Sequence, residues 1–229
     1  MNEKIKVAYF SMEIGMEGLT LGGGLGALAG DFLKSCADLN LPVVGVTLLY
    51  NRGNFRQRLT EKGQQIEWYD RFDPTGRMRY RHTGVKIPFR GDDIHTNAFE
   101  YTVGGEQGTV KILFIDTEGK SHHRPWGDDI TSELYPANHP EERLVQEHVL
   151  GTAGVRTLES LGYKNIQVYH LNEGHPALVA LEAAKIYDMK KSGKRTVFTT
   201  HTPVAAGFDK FSGELTEQVF GRDSWDEIK

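Results

Sequence analysis

Apolar positions fall along this chain in short, nearly unbroken runs rich in β-branched and aromatic residues. They lie at 5–10 (IKVAYF), 42–50 (PVVGVTLLY), 110–115 (VKILFI), 166–170 (IQVYH) and 195–200 (RTVFTT). Runs without alternation are the mark of strands buried on both faces, as in parallel sheets. Between them the period changes to that of helices. Leu25, Leu28, Ala29, Phe32, Cys36 and Leu39 fall on one face at i, i+3, i+4 and i+7 spacing. Residues 139–162 read as one long helix with acidic side chains in its first turn. Residues 174–193 read as another, opened by Pro176 and closed by lysines and Gly193. Strand–helix alternation predicts an α/β fold, a Rossmann-like open parallel sheet with helices on both faces. Residues 52–110 break the rhythm. They are polar, carry the pair Gly104–Gly105 and alternate over short stretches such as VKIPFR and AFEYTV. This predicts an antiparallel β excursion of hairpins inserted in the α/β frame.

The first strand runs into LTLGGGLGALAGDFLKS, residues 19–35. Glycine costs conformational entropy, so such a cluster implies a tight turn or the close approach of another group. Strand, glycine loop and helix place free amides and the positive end of a helix dipole at one spot, which attracts anions. The loop is neither a GxxxxGK[ST] phosphate loop nor a direct GxGxxG. On spacing alone two readings stand: a cradle for an anion or sugar, or a turn that closes strand onto helix.

Bulk properties narrow the partners. The chain has 229 residues and a formal net charge of −4, with an isoelectric point near 6.1. This gives no basic footprint for nucleic acid. The single cysteine, Cys36, allows no internal disulfide and fits a reducing, cytoplasmic setting. There is neither a signal-peptide core nor an apolar run of membrane-spanning length, so no membrane partner is expected. His122, His123 and His139 show no regular ligand spacing, so they read as solvated loop histidines and no metal site is expected.

Five blocks in order, AYFSMEIG, GGLGALAGDFLKSCADLNLPVVGVTLLYNRGNFRQ, RLVQEHVLGTAGVRTLESLG, HLNEGHPALVALE and TTHTPVAAGFDKF, resemble the N-terminal part of the α-glucan phosphorylases. The resemblance implies the N-terminal half of a GT-B type glycosyltransferase. Its reaction releases glucose 1-phosphate from α-1,4-glucan ends with inorganic phosphate, and its cofactor is pyridoxal phosphate. It also implies site residues. Gly23, Gly24, Leu25 and Gly26 match the loop whose amides face phosphate and glucosyl unit. His201 matches a catalytic-site histidine at the glucosyl unit. Glu13, Asn172, Glu173 and His175 match cleft-lining positions. Each residue keeps a plainer reading. His201 can cap a strand end, Glu173 can favour a helix N-terminus, His175 can be a first-turn residue and Glu13 a loop acid.

Leu19, Thr20 and Leu21 depart from the family's pattern, as does Asn54, which stands where an aromatic is common. The cofactor lysine and the phosphate-gripping cations belong to the family's C-terminal half and have no counterpart here. Residues 1–229 are therefore expected to form an incomplete N-terminal domain, without phosphorolysis by itself. It would complete its sheet by self-association, as a homodimer, or with a complementing C-terminal half. Two other functions fit the same motifs: a nucleotide-sugar-dependent glycogen or starch synthase, and a non-catalytic glucan-binding or split-gene fragment.

Overall fold

The computed structural model describes residues 2–16, 23–50, 52, 56–69, 72–117, 130–131, 133–135 and 140–222. The excluded positions include Leu19–Leu21, Asn54, His122, His123 and His139, so those expectations lie outside the described residues.

The five predicted buried runs are strands β1 (Val7–Phe10), β2 (Val43–Leu48), β7 (Thr109–Asp116), β8 (Val168–Asn172) and β9 (Thr196–Thr199). All five run parallel in one sheet, in the order β7-β2-β1-β8-β9. The excursion forms β3 (Arg56–Leu59) and β4 (Gln65–Trp68), paired as a separate hairpin, then β5 (Arg79–Phe89) and β6 (Asp92–Gly104). β6 pairs antiparallel with β7, so β5 and β6 extend the main sheet to seven strands among the described residues. Arg90 and Gly91 join β5 to β6 with φ of 50° and 78°. Two consecutive positive φ values match the primed turns whose twist suits a two-residue hairpin.

Each strand's alternation feeds two apolar layers. Ala8, Phe10, Val44, Val46, Leu113 and Ile115 face one side. There they meet α2 (Pro140–His148), α3 (Gly154–Ser160) and α4 (Leu178–Tyr187). Tyr9, Val43, Ile112 and Phe114 face the other side, against α1 (Gly24–Asp38). Helices on both faces are what a parallel sheet needs to bury its two apolar surfaces.

Three helix expectations need correction. The buried face of α1 is Gly26, Ala29, Gly30, Leu33, Cys36 and Ala37. Leu28 and Leu39, expected on that face, are 41% and 60% exposed. The helix turns its small residues inward because the segment after β1 lies against them: a Cβ on Gly30 would stand 1.9 Å from the Gly15 carbonyl oxygen. The 139–162 helix passes through a π-helical turn, Val149–Ala153, between α2 and α3. A Cβ on Gly151 would be 2.7 Å from Leu178 Cβ there, so α4 packs directly on bare backbone. The 174–193 helix breaks at Asp188, whose φ is 65°. Its carboxylate accepts from the Lys191 amide and so caps α5 (Met189–Gly193).

Candidate functional site

Outward from β1 the chain order runs to β2 on one side and to β8 on the other. Open α/β sheets bind ligands beyond the carboxyl ends of their strands at such a reversal. A cavity of about 670 Å³ opens there. Gly24, Leu25 and Leu28 of α1 line one wall, and Glu173, His175, His201 and Thr202, from the ends of β8 and β9, line another. Tyr135, Arg143, Asp209 and Lys210 complete its polar lining.

The glycine loop divides in function. The N-cap Gly23 provides no side-chain cap, and a Cβ on Gly23 or Gly24 would meet nothing within 4 Å. The first-turn amides of α1 have no intrahelical acceptor, and at Gly24 they border the cavity over open space. Gly26 is elsewhere. It is buried, it accepts from the Gly15 amide at 2.8 Å, and its missing Cβ leaves room for Glu13 Oε2, 2.8 Å from that point. The excess of glycine therefore has two causes at one helix start, open backbone at Gly24 and close packing at Gly26.

Glu13 does not line the cavity. It is 4% exposed and packs behind the α1 start. Tyr135 Oη donates to its Oε1 at 3.0 Å, while Oε2 is buried without a hydrogen-bond partner.

Glu173 carries a left-handed backbone, φ 64°, at the carboxyl end of β8. A non-glycine residue there is held by its surroundings. Its amide donates to Thr199 O at 2.8 Å. Its carboxylate receives the His201 amide at 2.5 Å, Thr200 Oγ1 at 3.0 Å and Thr202 Oγ1 at 3.3 Å. Burial works to raise its pKa, and these donors outweigh it and hold the carboxyl below the usual range. Glu173 thus ties the start of the His201 loop to the end of β8. Asn172 is 1% exposed and joins the same system, its Oδ1 3.2 Å from His201 Nε2.

His175 sits at the cavity floor beside Tyr135, with ring centroids 5.6 Å apart. Burial, then the Arg143 charge, pushes its pKa down to about 4. The ring is neutral at pH 7, and its Nδ1 is buried without a hydrogen-bond partner.

Sequence reasoning missed the charge cluster beneath. Arg143 Nε and Nη2 donate to Asp209 Oδ2 at 2.9 and 2.8 Å, and the guanidinium lies 4.3 Å over the Tyr135 ring. Glu147, one turn along α2, is 3.6 Å from Arg143. The signal was present as Arg143 and Glu147 at i, i+4 in RLVQEH, but nothing in the sequence pointed to Asp209 as the third member. With one cation between a buried carboxyl, Glu147, and a partly exposed one, Asp209, the buried carboxyl is the one that keeps its proton. Burial, then the neighbouring Asp209, raises Glu147 to about 9. Burial would raise Asp209 too, yet the hydrogen bonds from Glu147 and Arg143 prevail and hold it low.

The arrangement offers amide donors on one wall and a fixed carboxylate with an imidazole on the other. Among the described residues no group of three or more His, Cys, Asp or Glu side chains is placed to hold a metal ion. No described helix is long and apolar enough to cross a membrane.

Residues 13–118 match the family model for carbohydrate phosphorylase. The chain is 34% identical to maltodextrin phosphorylase of Thermococcus litoralis, over 90% of this chain and 26% of that protein. It is 34% identical to glycogen phosphorylase of Mycobacterium tuberculosis (93% and 27%) and 31% identical to that of Aquifex aeolicus (95% and 33%). The chain spans about a quarter to a third of the length of these relatives. A strand-loop-helix glycine segment stands at the sheet's reversal point, and over nine-tenths of its sequence the chain is similar to the carbohydrate phosphorylases.

Proposed function

We propose that this chain forms the N-terminal Rossmann-like wall of the substrate cleft in an α-glucan phosphorylase of GT-B architecture, with residues 52–110 as an insertion within it. In this reading the enzyme is a glycosyltransferase that releases glucose 1-phosphate from α-1,4-glucan ends, and it works in the cytoplasm. The observation that carries it is the meeting of the open α1 start and the ends of β8 and β9 on one cavity. The α1 amides at Gly24 and Leu25 take the anion, whose charge the helix dipole favours. His201, with Asn172 and Glu173 behind it, takes the glucosyl hydroxyls, and His175 and Glu13 support the floor and the rear of the loop. The named relatives are phosphorylases, which favours inorganic phosphate over a nucleotide sugar as the second substrate.

The pyridoxal phosphate implied for the whole enzyme does not fit the groups around this cavity. Lys210 is the lysine that lines it, at an exposed position beside Asp209, and Arg143 is committed to Asp209. No step is therefore assigned to that cofactor here. Phosphoryl chemistry needs cations placed around the developing charge, and this cavity leaves Lys210 alone in that role among its lining residues. The 229-residue polypeptide incubated with maltoheptaose and phosphate is expected to form no glucose 1-phosphate. Sustained formation of that product by the purified chain would overturn this assignment of the cations.

Gly24→Val tests the anion wall. Open space around the added side chain leaves the fold intact, so the melting temperature should stay within about a degree. Phosphate affinity, followed by NMR titration, should fall about tenfold, the equivalent of one charge-assisted hydrogen bond lost. Unchanged phosphate affinity in a folded Gly24→Val protein would remove the α1 start from the site.

A further inference from the structure

We infer that buried Ser11 and Asn172 form a one-way hydrogen-bond relay that fixes His201 as its Nε2–H tautomer, so that the ring offers the cavity an acceptor at Nδ1. This adds Ser11 as a positioning residue, and the ligand it implies rests on the glucan reading above.

The direction follows from proton counting. Ser11 Oγ lies 2.7 Å from the Glu13 carbonyl oxygen, which can only accept. The single hydroxyl proton of Ser11 therefore goes to Glu13, and Ser11 Oγ has only lone pairs left for other neighbours. Asn172 stands 3.1 Å away and must present Nδ2 to it. Its Oδ1 is then turned to His201 Nε2 at 3.2 Å. An amide oxygen cannot donate, so His201 Nε2 carries the hydrogen. Ser11 is fully buried and Asn172 is 1% exposed, so water does not compete for either. The Asn172 amide orientation is thus set by a backbone carbonyl two links away.

The consequence is a division of labour in the cavity. A neutral Nε2–H imidazole has one remaining polar atom, the acceptor Nδ1. No described residue occupies it, and His201 lines the cavity. Beside it lies the Glu173 carboxylate, also an acceptor. This wall selects a ligand that donates, such as a sugar hydroxyl, and rejects a fully ionised phosphate oxygen. Donors for the anion are confined to the α1 start opposite. The relay thus orients a bound glucan end with hydroxyls toward β9 and the phosphate toward α1.

Long-range proton–nitrogen correlation on the full chain labelled with nitrogen-15 histidine reads the tautomer directly. His201 is assigned among the nine histidines by the signals lost in His201→Gln, at a pH where the ring is neutral. The expected result is a single Nε2–H pattern in the wild type. In Ser11→Ala the Asn172 amide is free to turn over, and an Nδ1–H population should appear. In Ser11→Ala/Asn172→Asp both carboxylate oxygens accept, so the single Nε2–H pattern should return. This rescue separates a directional relay from simple packing. A wild-type ring that is Nδ1–H or mixed, or a Ser11→Ala ring that stays purely Nε2–H, overturns the relay. Added maltoheptaose should shift the Nδ1 resonance in the wild type. A fixed tautomer with no such shift would leave the relay standing and overturn the glucan reading alone.

Discussion

Gly30→Ala should unfold at a much lower urea concentration than the wild type. The added methyl would lie 1.9 Å from the Gly15 carbonyl oxygen and 3.1 Å from its carbon. Both are backbone atoms of the segment after β1, so no rotamer change relieves the overlap. Either α1 moves off the sheet or residues 13–16 move outward. The first exposes Leu33, Cys36 and Ala37, and the second displaces Glu13 from Tyr135. Overpacking a core commonly costs about 1–3 kcal/mol and more when backbone must yield. Alanine returns about 1 kcal/mol through its better helix propensity, so the net loss is about 2 kcal/mol or more. Against a total stability of roughly 5–15 kcal/mol, this should lower the urea midpoint sharply and reduce soluble yield. Gly24→Ala, six residues away on the same helix with open space around it, should be neutral or slightly stabilising. Equal unfolding midpoints for the two variants would refute close packing as the reason for Gly30.

That contrast also shows what the sequence alone conveyed. Four of the five parallel strands were legible because buried strands admit mainly apolar side chains, a signal local to each run; β9 was found by the same kind of run, although it lies at the sheet edge with Val197 and Phe198 about half exposed rather than buried. The existence of α1 was equally legible, but its inward face was not. Leucine spacing pointed to Leu25 and Leu28, whereas the tertiary contact with residues 13–16 demanded Gly26 and Gly30. Periodicity registers large apolar side chains and is blind to a helix chosen for its missing ones. The residues at the ends of β8 and β9 were found through motif and family resemblance, and the structure brings Glu173, His175 and His201 onto one cavity. Ser11, Arg143, Glu147 and Asp209 were not found. Their roles depend on partners 66 and 161 positions away in the chain, as in the Arg143–Asp209 and Ser11–Asn172 contacts, and no window of sequence contains such pairs. Glu173 shows the same limit at the backbone. Nothing in NEGHP announces a positive φ at glutamate, since glycine follows it and would take that conformation at lower cost.

Glu147→Gln should abolish most of the protein's loss of stability at alkaline pH. In the folded state Glu147 keeps its proton up to about pH 9, against an ordinary value of 4.5. Between these values the native state holds a proton that the unfolded chain has released. Stability from this group is therefore complete below about pH 4.5 and declines as pH rises towards 9, by up to about 1.4 kcal/mol per pH unit. Buried His148 and His175 act in the opposite sense. Their pKa values fall from 6.5 to about 3 and about 4, chiefly through burial. Below about pH 6.5 the unfolded chain binds protons that these rings refuse, so stability falls with acid. Two rising contributions exceed one falling contribution up to about pH 6.5, and above it Glu147 dominates, which places the wild-type optimum of these three groups near that pH. Glutamine keeps the shape of Glu147, and its amide can donate to Asp209 as the protonated carboxyl does. It has no proton to lose, so the variant should match the wild type near pH 4.5 and unfold at higher urea at pH 8. Below about pH 4.5 the acid limb, set by the histidines, should be unchanged, and between about pH 4.5 and 6.5 it should be steeper in the variant, because the opposing Glu147 contribution is gone. Coincident urea midpoints of the two proteins across pH 5–9 would mean that Glu147 ionises normally, with Arg143 shared between both carboxylates rather than given to Asp209.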